Sequence, residues 1–376
     1  MFALTGRNVL SGVKMTFKES KILKEDYNYL WSRVENKKYI EGSIFLITGI
    51  AGFLGFNFAN SLCYLAEQGI KPKLIIGLDN FILGQPPWVE ELRRDFPFFK
   101  VLNFDIAKDE LSLIPNIEKV DYIIHMASIA SPSFYRKYPL ETIDANVWGL
   151  RKLLDFYKDK NIRSFLFFSS SEIYGDPPPD FIPTPEDYRG NVSCIGPRAC
   201  YDEAKRFGET LCYFFNKIHS MPVKIVRPFN NYGPGLSITD RRVVADFASS
   251  IIENKDIIIH SDGSPTRTFC YVSDAIVGYF KCLFYHKFDV FNIGIDRPEI
   301  NIRDLASIYK KHGENLFNYK GNIIFRPNED KEYLVHNPQR RCPDISKARK
   351  LLKYDPKIEV YEGVERYLGY LREVKG

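Results

Sequence analysis

Short apolar runs punctuate this chain at regular intervals, and longer stretches of mixed pattern separate them. Ser43 to Thr48 (S-I-F-L-I-T) is uninterruptedly apolar until it meets a glycine turn. Similar runs lie at Lys73 to Leu78, Lys100 to Phe104, Val120 to His125, Ser164 to Ser169, Val223 to Val226 and Val290 to Ile293. Short runs this rich in apolar residues, without regular polar alternation, predict buried strands. Between them, Asn57 to Gly69, Thr142 to Lys158 and Tyr201 to His219 carry helical periodicity, as does an early segment from Glu25 to Val34 with Tyr27, Leu30 and Trp31. Strand and helix in alternation predict an α/β fold, a Rossmann-like doubly wound parallel sheet, with a smaller C-terminal lobe over the strand ends. The expected division is an N-terminal helical extension at 1–42, a cofactor-binding domain at 43–230, and a mainly substrate-binding lobe at 231–376. A strand near 290–294 returns to the main sheet. The early helix is expected to pack on the core or on a partner.

The turn after the first strand reads T-G-I-A-G-F-L-G. Gly49, Gly52 and Gly55 let the backbone approach a pyrophosphate at the start of a helix. Asp79 closes the second strand, where a carboxylate bonds a ribose diol and repels a 2′-phosphate, so the cofactor is read as NAD rather than NADP. Asp105, after the third run, is placed near the adenine amino group, and His125-Met126-Ala127-Ser128 flanks the cofactor, with His125 itself structural.

Tyr201 precedes Lys205 by four residues, which puts both on one helical face. The ammonium is expected to lower a tyrosine pKa normally about 10, and the Ser170 hydroxyl to share the same substrate oxygen. Such a trio takes the proton of an alcohol that is being oxidised. Tyr-x-x-x-Lys alone arises often by chance; its place downstream of the glycine turn gives it meaning.

Composition removes other classes. At 376 residues and net charge +5, the chain has no dense Lys/Arg run with interleaved aromatics, which argues against nucleic acid. Seven dispersed cysteines and six histidines show no metal-ligand spacing, so no metal is expected and the cysteines are read as reduced thiols. No apolar run approaches the ~18 residues that span a bilayer, and a cytoplasmic location is expected.

Several stretches together resemble the extended short-chain dehydrogenase/reductase family acting on nucleotide sugars. They are H-M-A-S-I-A-S-P from His125, S-S-S-E-I-Y-G-D-P from Ser169 and G-N-V-S-C-I-G-P-R-A-C-Y-D-E-A-K-R from Gly190. Further on come R-P-F-N-N-Y-G-P from Arg227, R-V-V from Arg242, T-R-T-F-C-Y-V-S-D from Thr266 and R-C-P-D-I-S-K-A from Arg341. The resemblance runs from about Ile44 to the carboxyl end and is nearest to the UDP-glucuronate decarboxylase branch. It implies NAD-dependent oxidation at sugar carbon 4, loss of the carboxylate, and release or reduction of the 4-keto pentose, the last as UDP-xylose. Tyr201, Lys205, Ser170, Ser171, Glu172 and Arg341 are then catalytic. Asn230, Arg242, Arg267 and Arg341 bind the UDP-glucuronate. The NAD set comprises Gly49, Gly52, Phe53, Leu54, Gly55, Asp79, Asn80, Asp105, Ile106, Ala127, Ser128 and Asn146, with Tyr201 and Lys205. The resemblance also implies a homodimer through the helices at Thr142 to Lys158 and Tyr201 to His219.

Ser171 stands where 4,6-dehydratases carry an acid, which disfavours dehydration. A 4-epimerase or an apiose synthase shares the first step and remains the alternative; a catalytically inactive binding module is disfavoured by intact Tyr201, Lys205 and Glu172. The chain departs from the branch at Ser170 (usually Thr), Leu83 (usually Thr) and Gly235 (usually Arg).

Overall fold

The computed structural model describes residues 15–328, 335 and 337–375, so residues 1–14 of the expected extension lie outside the described residues. Seven parallel strands form the main sheet: β1 Ile44–Thr48, β2 Leu74–Asp79, β3 Phe99–Asn103, β4 Tyr122–His125, β5 Ser164–Phe168, β6 Val223–Pro228 and β7 Val290–Ile293. Their order is β7-β6-β5-β4-β1-β2-β3. The unbroken apolar runs are explained by what each face touches. Phe45 and Ile47 of β1 join one core cluster with Ile124, Leu166 and Phe168, while Ile44 and Leu46 join the other with Ile123, Phe165 and Phe167. Strand order reverses between β1 and β4, and the crevice for ligands opens at such a point, beyond the carboxyl ends of the strands. The register sets Thr48 beside Leu78 and His125, and His125 beside Phe167. The segments that follow these residues therefore emerge together.

Numbering only the helices used below, α1 is Lys21–Ser32, α2 Phe53–Glu67, α3 Leu150–Tyr157, α4 Ala199–His219, α5 Val272–Leu283 and α6 Val360–Lys375. Helix α1 packs on the core, as expected. The Ser20 hydroxyl caps it by accepting from the Leu23 N–H at 3.1 Å, and Leu23, Tyr27, Leu30 and Trp31 are buried. The Trp31 indole donates to the Ser61 carbonyl of α2 at 2.9 Å. Asp26, fully buried, accepts from the Tyr271 hydroxyl at 2.6 Å and from Arg366 of α6 at 2.9 Å; burial raises its carboxyl pKa to about 6. The helix expected over Thr142 to Lys158 contains a π-helical stretch, Asp144–Gly149, between Pro139–Ile143 and α3.

Two- and three-stranded sheets lie beyond β6 in the chain. One brings Arg340–Arg341 alongside Thr266–Arg267, with Arg341 paired to Arg267. Among the described residues no helix is long and apolar enough to cross a membrane.

Candidate active site

One cleft of about 1000 Å³ runs across the carboxyl ends of the strands, from Asp79 and Asp105 past Tyr201 to Arg341 and His260. The glycine turn shapes its first part. Gly49 sits at φ +71°, and a Cβ there would lie 2.8 Å from the Ala127 nitrogen. A Cβ on Gly55 would lie 2.1 Å from the Ile50 carbonyl oxygen. Helix α2 starts at Gly52 with no capping side chain, and Phe53, Leu54 and Gly55 line the cleft. Uncapped N–H groups at the positive end of a helix dipole suit a pyrophosphate. Asp79 stands at the end of β2, its carboxylate accepting from the N–H groups of Ala51 (3.0 Å) and Phe81 (2.9 Å), and burial pushes its pKa up. Asn80, Asp105, Ile106, Ala127 and Ser128 line the same part; Asp105 accepts from the Ala107 N–H at 3.0 Å and pairs with Lys108 at 3.2 Å. The residues present therefore fit a dinucleotide. Asn146 lies behind the lining: its amide donates to Ser128 Oγ (2.9 Å) and the Thr142 carbonyl (2.7 Å), and its buried Oδ1 has no partner among the described residues. His125 is buried, pairs with Thr48 Oγ1 at 2.7 Å, and is held neutral by burial, its pKa near 3, in keeping with a structural role.

Tyr201 lies in the first turn of α4. Ser170 lies close enough to its hydroxyl to lower its pKa, and its ring stacks on Tyr135 at 5.3 Å between centroids. Lys205 Nζ is one helical turn on, 5.7 Å from the Tyr201 ring centroid, and donates to the Phe168 carbonyl at 2.7 Å. The expected lowering of the tyrosine pKa is not what the structure shows. Burial pushes the Tyr201 hydroxyl up to about 12, with Ser170 opposing, and burial pulls Lys205 down to about 7. A desolvated ammonium turned to a backbone carbonyl offers the phenolate little, so burial wins over spacing.

Ser170 precedes a 3₁₀ turn, Ser171–Tyr174, and its Oγ also accepts from the Glu172 N–H at 3.2 Å. The turn projects Glu172 into a nest of arginines. Arg341 chelates its carboxylate, Nη1 to Oε1 and Nη2 to Oε2 at 2.6 Å, and Arg198 Nη2 also donates to Oε2. Burial alone would raise the Glu172 pKa, but Arg198 and Arg341 outweigh it and hold the carboxyl well below the usual range. Arg198 Nε lies 3.4 Å from Asp202, whose carboxyl is pushed up by burial and by Glu172.

Of the expected substrate ligands, Arg242 and Arg267 both line the cleft and both already have partners. Arg242 is paired with Asp240 (Nη2 to Oδ2, 3.0 Å). Arg267 donates to the carbonyls of Thr266 (2.7 Å), Gln339 (3.0 Å) and Pro338 (2.5 Å), so its fork straps the 338–341 segment in place. Asn230, at φ +42°, donates to the Thr268 carbonyl at 2.9 Å. Gly235 packs against Phe56: a Cβ there would lie 2.3 Å from the ring, at φ +90°, so the absent arginine is replaced by close packing. Arg198 was not among the expected residues. Its signal was position, one turn before Tyr201 in the quoted Gly196-Pro197-Arg198 block.

The model of the NAD dependent epimerase/dehydratase family matches residues 45–294. UDP-glucuronic acid decarboxylase 3 of Arabidopsis thaliana is 34% identical over 336 residues, covering 89% of this chain and 90% of the relative. UDP-glucuronic acid decarboxylase 1 of Xenopus tropicalis is 34% identical over 328 residues, covering 87% and 72%. Among solved structures, UDP-glucuronic acid 4-epimerase from Bacillus cereus, in complex with UDP-glucuronic acid and NAD, superposes with a TM-score of 0.69 at 26% identity, covering 87% of this chain and 98% of that one.

Proposed function

The chain belongs to the NAD dependent epimerase/dehydratase family, and from that premise we propose that it decarboxylates UDP-glucuronate through a 4-keto intermediate, giving UDP-xylose or the UDP-4-keto-pentose. The observation that carries this reading is the arginine nest beside Tyr201. Arg198 and Arg341 grip a single ionised glutamate, Arg267 adds a further positive charge, and Asp202 is biased toward its neutral form. Buried guanidinium groups in excess over carboxylates favour a ligand that brings one more. A glucuronate sugar does so; a neutral hexose does not. The relatives of this chain carry names that agree.

The glycine turn, the start of α2 and Asp79 would hold NAD, which when bound supplies the hydride acceptor and donor for sugar carbon 4. Tyr201, beside Ser170 and one helical turn from Lys205, takes the proton of the 4-hydroxyl. The resulting 4-keto uronate is a β-keto acid. Its bond between carbons 5 and 6 breaks, the electron pair moves toward the 4-carbonyl, and carbon dioxide leaves. Carbon 5 then takes up a proton that comes ultimately from solvent, at a place we assign to Ser171, Glu172 and Arg341. Arg242 and Asn230 serve the diphosphate and sugar, with Arg267 bracing Arg341.

The partner is a second copy of the chain, docked through the helices at Thr142 to Lys158 and Tyr201 to His219. Support comes from exposed Trp148, Phe207, Phe214 and Ile218 on those helices, since large exposed apolar side chains suit an interface. A cytoplasmic setting agrees with seven free cysteines.

The test is incubation with NAD and UDP-glucuronate labelled at the carboxyl carbon. Release of labelled carbon dioxide is expected; recovery of the label in the 4-epimer would refute decarboxylation.

A further inference from the structure

Arg341 and Arg198 grip the same carboxylate in different ways. Both Nη groups of Arg341 go to Glu172, and among the described residues these are its side chain's hydrogen bonds. Arg198 is held at two points: Nη2 on Glu172, and Nε near Asp202, four residues further along the same helix. It sits at the residue before α4, on the element that carries Tyr201 and Lys205. All three side chains are largely buried: Arg341 is 8% exposed, Arg198 10% and Glu172 20%.

A guanidinium fork serves one carboxylate at a time in the two-bond mode. A uronate sugar in this cleft therefore competes with Glu172 for Arg341. We propose that Arg198 is the anchor of a carboxylate exchange: as the sugar's carboxylate enters, Arg341 transfers its fork to it, and Arg198 keeps Glu172 ionised and in place. This rests on the reading of the substrate as a uronate. Without Arg198, the transfer would leave Glu172 as a buried carboxylate with no hydrogen-bonded cation, since the Arg267 fork is committed to backbone carbonyls, and that is strongly unfavourable. Arg198 is thus a positioning residue, and its effect is selective. It assists binding of a sugar that carries a carboxylate, and is indifferent to one that leaves Arg341 on Glu172.

The selectivity gives the test. NAD-loaded protein carrying Tyr201→Phe, which blocks turnover, is titrated calorimetrically with UDP, UDP-glucose and UDP-glucuronate. Adding Arg198→Gln is expected to weaken UDP-glucuronate at least tenfold while UDP and UDP-glucose stay within twofold. Arg198→Lys, which restores a cation, should recover most of the loss. Adding Glu172→Gln to Arg198→Gln should also recover it, because no carboxylate then competes for Arg341; a merely structural role for Arg198 predicts no such rescue. Equal weakening of all three ligands, no weakening of UDP-glucuronate, or no rescue by Glu172→Gln would each overturn the exchange. Carbon dioxide release by the unsubstituted protein, measured separately, decides the proposed function. Release with a failed binding pattern removes the exchange alone; no release removes the function, and the binding pattern still decides the exchange.

Discussion

Replacing Lys205 by Met should make the protein more stable and inactive, with a stability gain that depends on pH. The Lys205 side chain is 3% exposed, and burial pulls its pKa from 10.5 down to about 7. At about 1.4 kcal/mol per pH unit, the charged form costs the fold about 5 kcal/mol below pH 7. The sign follows from the depressed pKa. The cost is fully present below the folded value, shrinks as pH rises from about 7, and is gone above about 10.5, where the unfolded chain also loses the proton. Methionine removes the charge but leaves the Phe168 carbonyl without its donor, a loss of about 1–3 kcal/mol. The net gain is then about 2–4 kcal/mol at pH 6, falling toward zero and changing sign as pH nears 10. The assay is urea unfolding of both proteins without NAD, in matched buffers from about pH 6 to pH 9.5. Asp26, Asp246 and Lys224 also have displaced pKa values, but they are common to both proteins and cancel in the difference. A difference that stays constant across this range would refute the buried-ammonium account.

Tyr201→Phe should lower kcat by about 10²–10⁴-fold, the range for loss of a general base, with NAD affinity within threefold in a fluorescence titration; carbon dioxide release at the original rate would remove Tyr201 from the mechanism. Gly55→Ala should weaken NAD at least tenfold, because the added carbon would lie 2.1 Å from the Ile50 carbonyl oxygen; calorimetric binding at full strength would show that the turn relaxes. Phe214→Asp combined with Ile218→Asp, both exposed on α4, should give a monomer by light scattering with an unchanged far-ultraviolet spectrum. A dimer that persists places the interface elsewhere.

The strands were legible where an apolar run is buried on both faces of the parallel sheet, as in β1 and β5; edge strand β3, with Lys100 and Asn103 exposed, is the weaker case. Phe45 and Leu46 show this directly, being adjacent in sequence and on opposite cores. The two- and three-residue strands beyond β6, such as Thr266–Arg267 and Arg340–Arg341, are too short to have a period. The π-helical stretch at Asp144–Gly149 shares the residue pattern of an ordinary helix, so it was not foreseen. At the site, spacing correctly put Tyr201 and Lys205 on one face, but spacing carries no information about dielectric, and burial reversed the expected effect on the tyrosine. Arg267 reads as a phosphate ligand by residue type; only the tertiary arrangement reveals its fork on three backbone carbonyls. Arg198 was missed for the converse reason: its partners Glu172 and Asp202 lie on either side of it in the chain, and one of them arrives by a loop.

The bonds of Asp26 to Tyr271 and Arg366 are reinforced by the Ser20 hydroxyl, which donates to Glu373 at 2.5 Å. Residues 20 and 373 are therefore neighbours, and the polypeptide between them is close to a ring. A ring has no privileged starting point. Joining residue 375 to residue 15 by a short flexible linker, and opening the chain at an exposed loop, should leave the same architecture in a circular permutant. A donor and an acceptor dye at positions 19 and 372 would likewise sit side by side in the native protein, so their energy transfer would report directly on whether the first helix has let go.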